Sequence, residues 1–223
     1  MTLPTMGPIA LSPSSPAANT VIHTKMSEKA EIIPVDLPCR DYLKALLGKG
    51  LRTDAIKFLA AWLPPRESIW FGCLGVWQVY RLLGQPGARE LLDKITEYIK
   101  QPTGEKLAAL GDQKEIRKDR STMGMLAQAV VYSGDNISPY PKKPLKPKPS
   151  LVGITVANAL ISAATKWPGK DRNACLDQYI GMGLDIAEGK HLWAPNPAQN
   201  YPGLREETKP LSMFEKPRNI WDK

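Results

Sequence analysis

The placement of proline is the feature of this sequence that most restricts its fold. Sixteen of the 21 prolines fall in three stretches, at 1–38, 139–149 and 195–223. Proline inside a helix or a sheet removes a hydrogen-bond donor and blocks the regular backbone, so these stretches cannot be helix or sheet interiors. The other five prolines are spread over the rest of the chain. The sequence therefore separates a structured body from two tails and one linker.

The body is predicted to be all-helical. Between Asp36 and Lys190 the apolar residues recur with helical period, and no run of β-branched residues alternates as a strand would. The most apolar helix is expected to begin at the Pro64-Pro65 pair, because proline in the first turn loses no hydrogen bond. Gly72 and Gly75 within it each cost about 1 kcal/mol relative to alanine, which predicts close approach of a neighbouring helix. A weaker, charged helix is predicted over 103–118.

Three regions are expected along the chain. Residues 1–37 form a flexible amino-terminal segment, 38–190 a single bundle-like helical domain, and 191–223 an extended carboxyl-terminal tail. Two helices are predicted after the linker. Because two helices are too few to bury a core of their own, we expect them to pack back on the first six.

The linker, residues 139–149, is predicted to be a polyproline II strap inside this domain. Five of its eleven residues are proline, and four are lysine. At about 3.1 Å per residue it could run roughly 34 Å and join two distant helix ends. SH3-type domains recognise the same pre-extended backbone, so the interpretation as a protein ligand stays open beside the spacer.

The net charge of +8 does not indicate a nucleic-acid partner. Half of the excess lies in 139–150, which holds four lysines and no acid. Nucleic-acid binders cluster basic residues along a helix or interleave them with exposed aromatics, whereas the aromatics here lie in the apolar body. Binding of nucleic acid through the lysines of the linker is a third and disfavoured hypothesis.

Cysteine usage and hydropathy indicate a cytoplasmic protein. Cys39, Cys73 and Cys175 are odd in number and far apart, with only two histidines to join them, which argues against a disulfide framework or a metal site. No basic residue precedes Lys25, so no secretory signal is expected. The longest apolar run, 69–77, is about half the roughly 18 residues that a membrane-spanning helix needs.

No catalytic motif is present in the sequence. It has no glycine-rich phosphate loop, no His-Glu-x-x-His and no Gly-x-Ser-x-Gly. We therefore predict no catalytic residue, metal or cofactor, and favour a non-enzymatic protein while leaving an enzyme open. Asp185 and Glu188 lie at i, i+3, and are expected on a solvated face rather than as an acid/base pair.

The carboxyl-terminal tail carries the candidate partner-binding residues. Apolar side chains are scattered there through a charged, proline-broken segment. They are Leu211, Met213, Phe214, Ile220 and Trp221. This composition is typical of a segment that orders on a protein partner, and it fits a merely disordered tail equally well.

The run from Phe58 to Leu74 resembles the most recognisable stretch of an uncharacterised bacterial domain family. Its pattern is Leu-Pro-x-Arg-Glu-x-x-Trp-x-x-Cys. The matching residues here are Leu63, Pro64, Arg66, Glu67, Trp70 and Cys73. Weaker likeness at 127–135 and 184–189 extends the resemblance over roughly 50–190. Members of that family are often encoded among type VI secretion genes, beside spike and effector proteins, and have no established activity.

The resemblance implies a cytoplasmic adaptor or effector-loading chaperone that binds a spike, effector or sheath component. The alternative is an enzyme or small-ligand domain with a pocket near Arg66, Glu67 and Trp70. The sequence leaves both hypotheses open.

Overall fold

A computed structural model describes residues 14–84, 86–138, 143–148, 150–169 and 171–190. Within these ranges the regular secondary structure is entirely α-helical, which confirms the all-α prediction. The helices are α1 (Ala18–Val21), α2 (Glu28–Glu31), α3 (Cys39–Gly48), α4 (Arg52–Trp62), α5 (Pro65–Tyr80), α6 (Pro86–Lys100), α7 (Gly104–Ala108), α8 (Gln113–Lys118), α9 (Thr122–Tyr132), α10 (Ser150–Thr165) and α11 (Arg172–Ala187).

The helix predicted over 103–118 is divided into α7 and α8. Gly111 between them has a φ of 122°, which lies outside the helical region. Asp112 then starts α8, because its carboxylate accepts hydrogen bonds from the backbone N–H of Lys114 and Glu115 at 2.8 and 3.1 Å. The first helix therefore ends at Ala108, the chain turns at Gly111, and the second helix begins at Gln113.

Helix α5 is surrounded by other helices, as its sequence predicts. Thirteen of its sixteen residues are buried, including both glycines. A Cβ atom on Gly75 would lie 2.3 Å from Cδ2 of Leu160, and one on Gly72 would lie 3.1 Å from Cγ1 of Val156. The two glycines thus provide the space in which α10 packs against α5.

At Gly153, helix α10 packs against backbone atoms of α4. A Cβ atom on Gly153 would lie 2.7 Å from Cα of Ala61 and 2.8 Å from the carbonyl oxygen of Ala60. Because these obstacles are backbone atoms, a side chain at 153 cannot be accommodated by a change of rotamer. Helix α11 also packs on α4 and α5. The last two helices therefore share the core of the preceding ones, as expected.

The described part of the linker returns to the chain just after α9. The Thr122 and Ser162 hydroxyl oxygens are 2.8 Å apart, so the start of α9 lies beside the last turns of α10. The backbone N–H of Ile137 donates to the carbonyl oxygen of Leu145 at 2.8 Å. Of the strap expected over 139–149, only 143–148 lies within the described residues.

Residues 14–38 pack against the helical domain, whereas the sequence assigned 1–37 to a flexible segment. Backbone hydrogen bonds join the two ends of this stretch. The N–H of Ala17 donates to the carbonyl oxygen of Leu37 at 2.8 Å, and the N–H of Cys39 donates to the carbonyl oxygen of Ser15 at 2.9 Å. Ala17 and Ala30 are fully buried in the main core. We call residues 14–38 the amino-terminal segment.

Asp54, in the first turn of α4, anchors the amino-terminal segment. Its carboxylate accepts hydrogen bonds from the backbone N–H and the hydroxyl of Ser27 at 2.9 and 2.7 Å. The Lys57 ammonium lies 3.3 Å from the same carboxylate and donates to the carbonyl oxygen of Lys25 at 3.0 Å. The Asp54 side chain is only 5% exposed. A buried carboxylate therefore ties two segments that are 27 residues apart in sequence.

We expect Gly153→Ala to destabilise the fold. The added methyl group must displace the α4 backbone, so the free energy of unfolding should fall by about 1–3 kcal/mol, the usual cost of overpacking. Gly87→Ala in α6 is the matched control: nothing lies within 4 Å of the new Cβ, and the change should be neutral or stabilise by up to about 1 kcal/mol. Guanidinium unfolding measures both, and equal midpoints for the two variants would contradict the assigned contact.

We expect Asp54→Ala to loosen the amino-terminal segment, because the backbone N–H of Ser27 then loses its acceptor. Limited proteolysis within 14–38 should become faster. Asp177→Ala removes only the exposed ion pair with Arg52, at 2.7 Å, and serves as the control. Unchanged cleavage of the segment in Asp54→Ala would show that other contacts hold it.

Candidate functional site

The motif residues lie at the corner where α4 turns into α5. Leu63 and Pro64 are extended, with ψ values of 143° and 155°, and they separate the two helices. Ser68 then fixes the corner: its backbone N–H donates to Pro64 at 2.8 Å, and its hydroxyl donates to the carbonyl oxygen of Ala60 at 2.8 Å. We call this arrangement the α4–α5 corner.

Arg66 connects the α4–α5 corner to α6. Its guanidinium donates to the carbonyl oxygens of Ile99 and Lys100, the latter at 3.2 Å. These are the last two residues of α6, whose carbonyls have no partner within the helix. A cation at this end also interacts favourably with the helix dipole. The contact gives Arg66 a structural task, holding the carboxyl end of α6 against the start of α5.

Glu67 and Trp70 are buried, with only 7% and 3% of their surfaces exposed. Glu67 lies in the first turn of α5, where a carboxylate is favoured by the positive end of the helix dipole. Trp70 belongs to the main hydrophobic core. The structure therefore brings Arg66, Glu67 and Trp70 together at one corner, with two of the three inside the domain.

Cys73 is fully buried one turn after Trp70. Burial raises the pKa of its thiol, because the thiolate would be desolvated. The other two cysteines, Cys39 and Cys175, are also buried thiols whose pKa burial raises. The thiolate is the reactive form of cysteine, so the position of Cys73 suits a core residue and not a nucleophile.

Asp185 lies in an environment that its sequence did not predict. It is only 3% exposed, and the side chain of Glu188 is 7% exposed beside the Lys190 ammonium. The expectation of a solvated face is corrected for both residues. Helix α11 contacts α4, α5 and α10, so its buried surface is wider than the single apolar stripe suggests.

The remaining predictions concern the carboxyl-terminal candidate residues, metal binding and membrane spans. The five candidate partner-binding residues, Leu211, Met213, Phe214, Ile220 and Trp221, lie outside the described residues. In the described part of the chain, no three His, Cys, Asp or Glu side chains are arranged to hold a metal ion. None of the described helices is both long and apolar enough to cross a membrane.

Several large aliphatic side chains of the described residues are exposed on the surface. Ile22 and Ile32 in the amino-terminal segment are 77% and 76% exposed. Leu82 after α5 and Leu145 in the linker are 51% and 57% exposed. The exposure of Ile22 and Ile32 could not be predicted from the sequence, because it depends on which side of the amino-terminal segment packs on the domain.

We expect Arg66→Ala to destabilise the domain locally. Loss of a partly buried cation at the carboxyl end of α6 should lower the free energy of unfolding by about 1–2 kcal/mol. Hydrogen exchange should increase around Ile99 and Lys100. Lys94→Ala, which removes an exposed pair with Glu90 on the same helix, should change stability by less than about 0.5 kcal/mol. Wild-type exchange at the end of α6 in Arg66→Ala would contradict the assignment.

Comparison with known proteins identifies a family for this helical domain. No curated protein and no solved structure matches the chain. The model of a family of unknown function, DUF6931, matches residues 42–187, which is more than half of the chain. The matched range includes the α4–α5 corner and extends to the end of α11. The chain therefore belongs to the DUF6931 family.

Proposed function

We propose that this chain is a non-enzymatic, cytoplasmic accessory protein that binds a protein partner. Its role would be that of an adaptor or effector-loading chaperone in a type VI-like secretion system, as the resemblance of its α4–α5 motif implies. The observation that carries the binding role is the exposure of Ile22 and Ile32 on a segment that is itself anchored to the domain. Such side chains are apolar surface that a protein interface can bury.

The roles of the motif residues support a scaffold more than a pocket. Arg66 holds the end of α6, while Glu67, Trp70 and Cys73 are buried. The signature thus links α4, α5 and α6 into one framework. Recognition would then fall to surfaces outside the corner, which include the amino-terminal segment and the carboxyl-terminal residues Leu211, Met213, Phe214, Ile220 and Trp221.

The test is affinity purification of the tagged full-length chain from its native host, followed by mass spectrometry. We expect recovery of a secretion spike, effector or sheath component. Recovery should fall for Ile22→Glu/Ile32→Glu and for deletion of 195–223, because each removes apolar side chains that would be buried on the partner. Leu82→Glu is the matched control at an exposed aliphatic residue elsewhere and should leave recovery unchanged.

The proposal fails if the wild-type chain is recovered without a secretion component. Equal recovery by the wild type and both variants would instead remove the two named surfaces. All variants must first show the wild-type unfolding midpoint, so that a loss of binding is separated from a loss of folding.

A further inference from the structure

The six described linker residues, 143–148, form an exposed basic loop with a fixed base. At the base, Oδ1 of Asn136 accepts hydrogen bonds from the backbone N–H of Ser138 and Leu145 at 2.8 and 2.9 Å. The backbone N–H of Ile137 donates to the carbonyl oxygen of Leu145 at 2.8 Å. We call residues 143–148 the basic loop.

The body of the domain holds this base in place. Ile137 packs against a small apolar cluster that includes Ile116 of α8 and Val131 of α9. Because the backbone of Leu145 is tied to Asn136 and Ile137, the position of residue 145 is set by the domain. Pro144 and Pro147 restrict the backbone on either side of Leu145 and Lys146. The backbone of residue 145 is therefore fixed on the domain, and the two prolines restrict the conformations of its neighbours.

The side chains of the basic loop face solvent. Leu145 is 57% exposed, and Lys143, Lys146 and Lys148 are all exposed. Within the described residues none of these lysines forms an ion pair, and the sequence from 136 to 150 contains no acid. The basic loop thus presents one aliphatic side chain among three exposed lysines.

We propose that the basic loop docks into an acid-rimmed apolar groove on a partner protein. This inference rests on the proposed function, since it names the docking element of the same adaptor. The charge of the loop selects an acidic partner, and Leu145 supplies the contact that a groove floor would bury. Phosphate groups of a nucleic acid would pair with the lysines but would gain nothing from Leu145.

The experiment uses the full-length chain with a photo-reactive benzophenone amino acid at position 145, expressed in the native host. We expect ultraviolet light to join position 145 to one protein, at a peptide beside clustered Asp and Glu residues. The backbone hydrogen bonds of Leu145 do not involve its side chain, so the replacement leaves the loop base intact. The same amino acid at position 82, where Leu82 is also exposed, is the control and should not give that product.

Charge variants test whether the lysines of the basic loop select an acidic partner. Lys143→Glu/Lys146→Glu should reduce recovery of the cross-linked partner about tenfold, as expected when close charge pairs across an interface are reversed. Lys143→Arg/Lys146→Arg should retain it. Lys49→Glu/Arg172→Glu carries the same change of net charge at exposed sites outside the loop and should behave as the wild type. Asn136→Ala keeps the lysines but opens the base, and should weaken recovery through lost order.

The outcomes separate the two proposals. Recovery of a secretion component that is equal in the wild type and Lys143→Glu/Lys146→Glu overturns the docking loop and leaves the adaptor function in place. Recovery that disappears after nuclease treatment assigns the loop to nucleic acid and overturns the inference. Failure of the wild type to recover any secretion component overturns the adaptor function and the docking loop together.

Discussion

The close approach of α10 to α4 and α5 is the constraint on which the rest of the domain depends. At Gly153 the obstacle to a side chain is the α4 backbone, and at Gly72 and Gly75 it is the side chains of facing helices. Each of these glycines weakens its own helix by about 1 kcal/mol, so the packing that they permit must return more than it costs. It does so by burying α5 on almost all sides and by giving α10 and α11 a core that they could not form alone.

The sequence predicted those parts of the fold that depend on local chemistry. Helical periodicity predicted the all-α body, and Pro64 and Pro65 predicted the start of α5. The two glycines of α5 predicted that another helix packs closely against it. The break at Gly111 was missed, because a glycine within a helical pattern is often tolerated, and only its φ of 122° decides the matter. Local sequence signals therefore predicted most of the helices but not the break between α7 and α8.

Contacts between distant parts of the sequence could not be predicted in this way. The hydrogen bond between Ser27 and Asp54 joins two common residue types that have no characteristic spacing, and it helps to hold the amino-terminal segment on α4. From the sequence, Arg66 could have been a structural residue or part of a ligand pocket. Its hydrogen bonds to two carbonyl oxygens of α6 give it a structural role. Likewise, no local pattern predicts that Leu145 of the linker accepts a hydrogen bond from Ile137, just after α9. Each outcome depends on the arrangement of whole helices, which one sequence does not state.

The attachment of Leu145 to the domain distinguishes the basic loop from an ordinary lysine-rich linker. Fixing one residue of a flexible chain costs about 1–2 kcal/mol, so ordering six residues at the moment of binding would cost on the order of 10 kcal/mol. A micromolar complex has a binding free energy of only about −8 kcal/mol, so that cost would consume the gain from a small contact. The hydrogen bonds of Leu145 to Asn136 and Ile137, together with the two prolines, meet part of this cost during folding. Less of the binding free energy is then needed to order the chain. The charge of the lysines can instead favour an acidic partner and raise the rate of association.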